Sequence, residues 1–186
     1  MTDDSRLLSA LTVVRTRGAI GERSLVDAIA HAERFVDLIP PGPQSVVDLG
    51  SGGGLPALVI AWRRADLTVT MVERRATRAD MLRRAISSLG LGDHASVLNL
   101  DVEEVCARAS STFDVLTARS FGEVALTTRY INRLLRSGGL ALISEPPLDR
   151  SARWGAVLAD YPDLRDVGVE QGIRRLRRSP GSQCFT

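Results

Sequence analysis

An open, doubly wound α/β domain with a mostly parallel sheet is the fold this sequence predicts. Three observations predict it. Short apolar runs alternate with helical patterns from residue 45 to residue 145. Those runs are apolar on both faces, as strands covered by helices on each side must be. The first run ends in an acid followed by a glycine cluster, "VVDLGSGGGLPAL", in the setting of a strand–turn–helix unit.

The elements follow in order. Residues 1–22 show no clear period and are expected to be loosely organised. Residues 23–38 read as an amphipathic helix, with Leu25, Ile29, Ala32 and Val36 on one face and His31 well off it. The run Pro40–Pro43 stops that helix in a tight turn. Ser45–Leu49 is a valine-rich strand. Ala57–Ala65 is a helix with Pro56 at its first turn, where a missing N–H costs little. Leu67–Glu73 is a strand. Thr77–Leu89 is a helix, with Thr77 and Asp80 spaced like a capping box and Gly90 and Gly92 ending it. Ala95–Asp101 is a third strand and Val102–Ala109 a short helix. Phe113–Arg119 is a strand, Glu123–Leu135 a helix capped by Ser137–Gly139, and Leu140–Glu145 a fifth strand. A helix near Ser151–Leu158 precedes two segments expected to add a closing antiparallel hairpin.

The 186 residues suit one domain with a real core. It divides into a helical extension (1–44), a ligand-binding core (45–145) and a C-terminal segment (146–186). The composition is globular, with 44% hydrophobic and 25% charged residues. A formal charge of +2 does not by itself argue for a nucleic-acid partner. All 24 basic residues are arginine, which fits a codon bias towards GC-rich DNA or selection for the planar guanidinium fork. Cys106 and Cys184 match no metal-ligand spacing, so no metal is expected. Met1 is followed by acidic Asp3 and Asp4 rather than a basic and then apolar leader. No apolar stretch approaches the ~20 residues that span a bilayer. A soluble, cytoplasmic protein is the expectation.

Ligands of doubly wound sheets bind beyond the carboxyl ends of the strands. The first strand ends at Asp48, followed by Gly50, Gly52, Gly53 and Gly54. Glycines let the chain turn sharply and let a ligand approach the backbone, and the next helix offers free N–H groups to an anion. A dinucleotide fingerprint survives only in the permissive form starting at Gly52 and reaching Ala57. Asp48 beside the loop would repel a pyrophosphate but attract the ammonium and sulfonium of S-adenosyl-L-methionine. Glu73 ends the second strand, where an acid can accept ribose hydroxyls. Asp101 can accept from an adenine amino group or cap the next helix. Arg119 ends the fourth strand above the reactive end of such a ligand, where it can touch the substrate or form an internal ion pair.

"VVDLGSGGGLPAL", "VERRATRADMLRRA", "FDVLTARSF" and "LLRSGGLAL", in this order, resemble the bacterial small-subunit ribosomal RNA guanine-N7 methyltransferases, the glucose-inhibited division protein B family. The similarity covers roughly residues 23–145 and implies a Rossmann-like class I methyltransferase fold. It implies S-adenosyl-L-methionine contacts at Asp48, Gly50, Gly52, Gly54, Glu73, Asp101, Val102 and Glu103. It places Arg119 at the reaction centre, and it implies ribosomal RNA or the small subunit as partner. The family's first-helix motif keeps its histidine as His31, but its aspartate is Arg34 here, and Ser144 and Glu145 stand where the family carries a lysine.

The absence of a Ser-His-Asp set or a Cys-His pair suits this chemistry. Guanine N7 has a lone pair and no proton to lose, so alignment and exclusion of water matter more than a base. An RNA partner calls for a positive surface. Candidates are Arg174, Arg175, Arg177 and Arg178, with Arg74, Arg75, Arg78, Arg83 and Arg84. Two other readings remain open: a methyltransferase of the same fold acting on a small molecule or protein, and a cofactor-binding module without catalysis.

Overall fold

The computed structural model describes residues 3–18, 24–145 and 151–180. Its elements are α1 (Asp3–Thr16), α2 (Leu25–Leu38), β1 (Gln44–Leu49), α3 (Ala57–Arg63), β2 (Leu67–Val72), α4 (Ala76–Leu89) and β3 (Ala95–Leu98). They continue with α5 (Val102–Arg108), β4 (Phe113–Ala118), α6 (Val124–Leu134), β5 (Leu135–Ser144), α7 (Ser151–Leu158), β6 (Leu164–Glu170) and β7 (Ile173–Arg178). The strands form one sheet in the order β3-β2-β1-β4-β5-β7-β6. Strands β1 to β5 pair in parallel, while β7 runs antiparallel to both β5 and β6. The chain winds outward from β1 through β2 to β3, then crosses back to β4. The gap between β1 and β4 is therefore the switch point where such sheets open a crevice.

Strand alternation sorts the core into two layers. Val46, Val69, Val115, Leu140 and Leu142 pack with α1–α4 on one face. Val47, Leu49, Val72, Leu116, Ala118, Ala141 and Ile143 pack with α5–α7 on the other. The doubly wound class, the five parallel strands and the closing hairpin are as expected. The hairpin turns at Gln171 and Gly172, whose φ angles of 52° and 77° match the type of turn that follows the strands' own twist.

Several boundaries and faces differ from the expectation. The first residues are not loosely organised: Leu7, Leu11 and Val14 of α1 are buried, and α1 lies against α4. Exposed Leu8 and Val13 blur the helical period there, which hides it in the sequence. Helix α2 buries Leu25, Ala28, Ala32 and Phe35, so its inner stripe is rotated from the expected one, and Ile29 and Val36 are only half-buried. That rotation brings His31 into the seam, edge-on to Phe35. Thr77 and Asp80 form no capping box; Arg75 holds the N-cap position without a side-chain bond, and Asp80 pairs with Arg83. Ser137–Gly139 do not cap α6. They lie within β5, which starts at Leu135, and the ladder to β4 shifts register between Phe113 and Val115 to absorb them. Strand β3 ends at Leu98, three residues before Asp101.

Candidate functional site

The site is built at the carboxyl ends of β1, β2 and β4. Asp48 pairs in register with Thr117 of β4, so both side chains rise from the same face of the sheet. Thr117 Oγ1 donates to Asp48 Oδ1 at 2.6 Å. Ser51 Oγ donates to the Asp48 carbonyl at 3.2 Å. Asp48 is 1% exposed, and its Oδ2 is buried without a hydrogen-bond partner among the described residues. Burial pushes its carboxyl up to about pKa 6, against the hydrogen bonds from Thr117 and Ser51 and the charge of Arg119.

The loop after Asp48 holds Gly50, Gly52 and Gly54 at φ of 64°, 54° and 84°, a region that side chains other than glycine enter at a cost. The three glycines face different things. A Cβ on Gly50 would stand 2.7 Å from the Phe121 ring, and one on Gly54 only 2.4 Å from Leu58 Cδ1. Gly54 is thus required by packing of the loop on α3 and α4. Gly52 meets nothing closer than 3.6 Å, and its N–H donates to Glu73 Oε2 at 2.9 Å. Glu73, buried just past β2, accepts a second bond at Oε1 from the Arg75 N–H, at 2.8 Å. Its carboxylate ties the glycine loop to the start of α4, and it meets the Arg75 backbone rather than a guanidinium. Each oxygen keeps a lone pair for a further donor.

Asn99, which the sequence reading passed over, donates from Nδ2 to the carbonyls of Glu73 and Arg74 at 2.9 and 3.0 Å. It fixes the chain end that carries Glu73. Thr117 was missed too. The only signals for either were a polar residue inside an apolar strand and an asparagine just after one. Asp101 caps α5: its Oδ1 accepts the Glu103 N–H at 3.0 Å, and Glu104 Oε2 accepts the Asp101 N–H at 3.0 Å. This is a full capping box. Asp101 and Val102 line the cleft, whereas the Glu103 carboxylate turns to α6, 2.7 Å from Arg129 and 3.5 Å from Arg133.

Of the expected site residues, Gly50, Glu73, Asp101 and Val102 line a cleft of about 340 Å³, whereas Asp48, Gly52, Gly54, Glu103 and Arg119 are not among its lining residues. Leu100, Val102, Phe121 and Leu126 give it an apolar wall, and Arg74, Arg75 and Arg78 a basic rim. A site of this size is ordinary for a cofactor, and its lining is mostly polar, with both acids and arginines. The donor set suits an adenosyl ligand with a cationic tail: carboxylates at two strand ends, an apolar slot between them, and a buried carboxylate oxygen lacking a donor.

Arg119 follows Ala118 and is half-buried. It lies in a bend one residue past the end of β4, and its charge reaches Asp48. The arginines of β7 do not form the open basic surface that was expected. Arg174 is 4% exposed, bonded to Glu145 at 2.6 Å and to Asp166, and stacked over Trp154. Arg175 pairs with Glu170, Arg177 donates to the Gly138 carbonyl, and Arg178 donates to the carbonyls of Asn132 and Leu135. An antiparallel strand against β5 needs partners for its outward groups, and these arginines find them within the fold. Arg74, Arg75, Arg83 and Arg84 remain exposed. Cys106 is buried, and burial pushes its thiol up; Cys184 lies outside the described residues. Among the described residues no cluster of metal-ligating side chains occurs, and no helix is long and apolar enough to cross a membrane.

A sheet of this order, with an acid and a glycine loop beside its switch point, defines a class I methyltransferase fold. Solved structures share it: a methyltransferase from Geobacter sulfurreducens at TM-score 0.66, 20% identical, over 94% of this chain and 88% of that one, and the cofactor-bound Rv0187 from MTB at TM-score 0.72, 14% identical, over 95% and 90%. The chain belongs to the GidB family, rRNA small subunit methyltransferase G, whose model matches residues 8–145. It is 34% identical to the ribosomal RNA small subunit methyltransferase G of Acidothermus cellulolyticus, over 86% of this chain and 69% of that protein. It is 34% identical to the Chloroflexus aggregans protein of the same name, over 76% and 59%. The chain therefore spans between about three fifths and two thirds of the length of these relatives.

Proposed function

We propose that this chain is an S-adenosyl-L-methionine-dependent methyltransferase acting on N7 of a guanine in small-subunit ribosomal RNA. The observation that carries this reading is Asp48: a buried carboxylate with one oxygen held by Thr117 and the other without a partner, beside a glycine loop. A cationic donor gives that oxygen its missing partner. Glu73 holds the ribose hydroxyls while keeping Gly52 in place, and Asp101 and Val102 read the adenine edge.

When bound, S-adenosyl-L-methionine supplies an electrophilic methyl on a sulfonium. Guanine N7, with a lone pair and no proton to lose, would accept that methyl, with the sulfur retaining the electron pair of the C–S bond. The positive charge passes to the purine and no proton moves. What the protein must do is align the two reactants and exclude water. Arg119 does the first by donating its planar fork to the guanine O6, which leaves N7 free beside it. Phe121, Leu126 and Tyr130 line the side of the cleft and keep it dry. Arg74 and Arg75 at the rim meet the phosphate backbone.

A radiolabelled methyl assay tests the reading with three acceptors: intact small subunits lacking the modification, deproteinised ribosomal RNA, and a metabolite extract. Label at a guanine N7 in either RNA sample supports it. Label confined to metabolites or protein supports a same-fold enzyme for another acceptor. Donor binding without label in any sample identifies a non-catalytic module.

A further inference from the structure

His31 is the residue of the sequence that the cofactor site does not use. Its Nε2 lies 3.0 Å from Ser144 Oγ, joining α2 to the carboxyl end of β5 across 113 residues. Its ring packs edge-on against Phe35, with centroids 5.8 Å apart. Both His31 and Ser144 are half-buried, so the pair sits at the edge of the core and not inside it.

The ladder register shows what this pair adjoins. Ala118, the last residue of β4, pairs with Ile143 of β5, so Arg119 follows the end of β4 beside Ser144, the last residue of β5. Adjacent parallel strands lie about 4.8 Å apart, and residues at matching positions point to the same side. Val115, Leu140 and Leu142 face the α1–α4 layer. Alternation then puts Thr117 and Ser144 on that face as well, and the charge of Arg119, one residue past β4, reaches Asp48 there. Asp48, Thr117, Arg119, Ser144 and His31 thus form one row of polar side chains across β1, β4 and β5 and up onto α2. The first two hold the cofactor end. The row continues past Arg119 to a hydroxyl fixed by an imidazole.

We infer that the His31–Ser144 pair is a positioning element for the methyl acceptor. The Ser144 hydroxyl, oriented by His31, donates to the carbonyl oxygen beside the acceptor nitrogen. A carbonyl oxygen accepts two hydrogen bonds, so Arg119 and Ser144 bracket it from adjacent strands. Two fixed donors on one oxygen set both the distance and the tilt of the purine, which a single donor cannot. A hydroxyl whose rotor is held by a histidine costs less ordering on binding than a free one. This inference rests on the proposed guanine acceptor.

The test compares the wild type, S144A, S144T, H31F and the S144A/H31F double variant on small subunits lacking the modification. H31F keeps a ring against Phe35 and removes the hydrogen bond to Ser144. Melting temperature and S-adenosyl-L-methionine affinity are measured for each. The expected result is a fall of tenfold or more in kcat for S144A and H31F, with melting temperature and donor affinity near wild type. S144T restores most of the rate, and the double variant is no worse than either single one, since the two act as a unit. Singles within twofold of wild type overturn the inference and leave the methyltransferase reading standing. So do additive losses, or losses that track donor affinity or melting temperature. A wild-type protein that labels no RNA overturns the reading itself and the inference with it.

Discussion

Thr117 Oγ1 donates to one oxygen of Asp48 at 2.6 Å, and the other oxygen of that carboxylate is buried without a partner among the described residues. The carboxyl is thereby left half-solvated by the protein, and its proton and its ligand compete for it. Burial raises its pKa from 3.8 to about 6. A raised acid favours the protonated folded state. In the ligand-free protein its contribution to stability is complete below about pH 4 and is lost as pH rises through 6, on the order of 3 kcal/mol in all. D48N removes that loss, so urea denaturation at pH 5 and pH 7.5 should show a smaller decline with pH than in the wild type.

On the proposed reading a cationic donor binds the ionised form of this carboxyl, so the group's contribution reverses sign on binding. Calorimetric affinity for S-adenosyl-L-methionine should rise from pH 5 to pH 7 in the wild type and be weak and nearly flat in D48N. A wild-type affinity independent of pH across that window would show that the donor does not meet this carboxylate.

The glycines of the loop should separate into two kinds. Gly54→Ala drives a Cβ to within 2.4 Å of Leu58 at a φ of +84°, so it should cost about 2–4 kcal/mol of stability. A Cβ at Gly52 meets only ordinary contacts, 3.6 Å from the Gly50 carbonyl and 3.7 Å from Arg78 Nη1, and aspartate tolerates the left-handed region better than most residues. Gly52→Asp should lower the melting temperature less than Gly54→Ala while weakening donor binding a hundredfold or more, because it sets a second carboxylate beside Glu73. Thermal melts with and without donor distinguish the two effects.

Arg119→Ala should lower turnover on RNA a hundredfold or more. Donor affinity at pH 7.5 should stay within a few-fold of wild type, because Arg119 is only the last of the influences on Asp48. An equal fall in donor affinity and turnover would assign the residue to the cofactor instead.

Arg174→Ala should destabilise the protein by about 3–5 kcal/mol, since it strands Glu145 and Asp166 and removes the guanidinium from over Trp154. Nucleic-acid affinity of the folded variant should be unchanged. Arg84→Ala on exposed α4 should do the reverse, weakening RNA binding with the melting temperature unaltered. Filter binding at two salt concentrations, beside a melt, checks both.

The alternation of strand and helix, the switch-point loop and the acids Asp48 and Glu73 were all legible in the residues. Each depends on local spacing: the period of apolar residues, the glycines that a turn demands, and the place of an acid at a strand's end. That Gly54 is also demanded by the packing of Leu58 was not legible, because spacing cannot tell a glycine needed by a ligand from one needed by a neighbouring side chain. Asp101 looked like a strand end because the edge strand β3 stops early, and only the ladder to β2 reveals where.

Tertiary structure alone decided which groups were spent inside the fold. Four arginines in five positions read as a basic surface until β7 was paired with β5 and β6, where Arg174, Arg177 and Arg178 found acceptors on remote segments and Arg175 found Glu170 across the hairpin. Helix α1 became visible only once α4 covered Leu7, Leu11 and Val14. His31 was off the apparent apolar face until α2 rotated it towards Ser144, and no local pattern connects residues 113 apart. Hydrophobic period and turn chemistry act over a few residues, so they are written along the chain. Hydrogen-bond and ion-pair partners are chosen by the packing that brings remote segments together, and that is where the substrate side of the site takes its form.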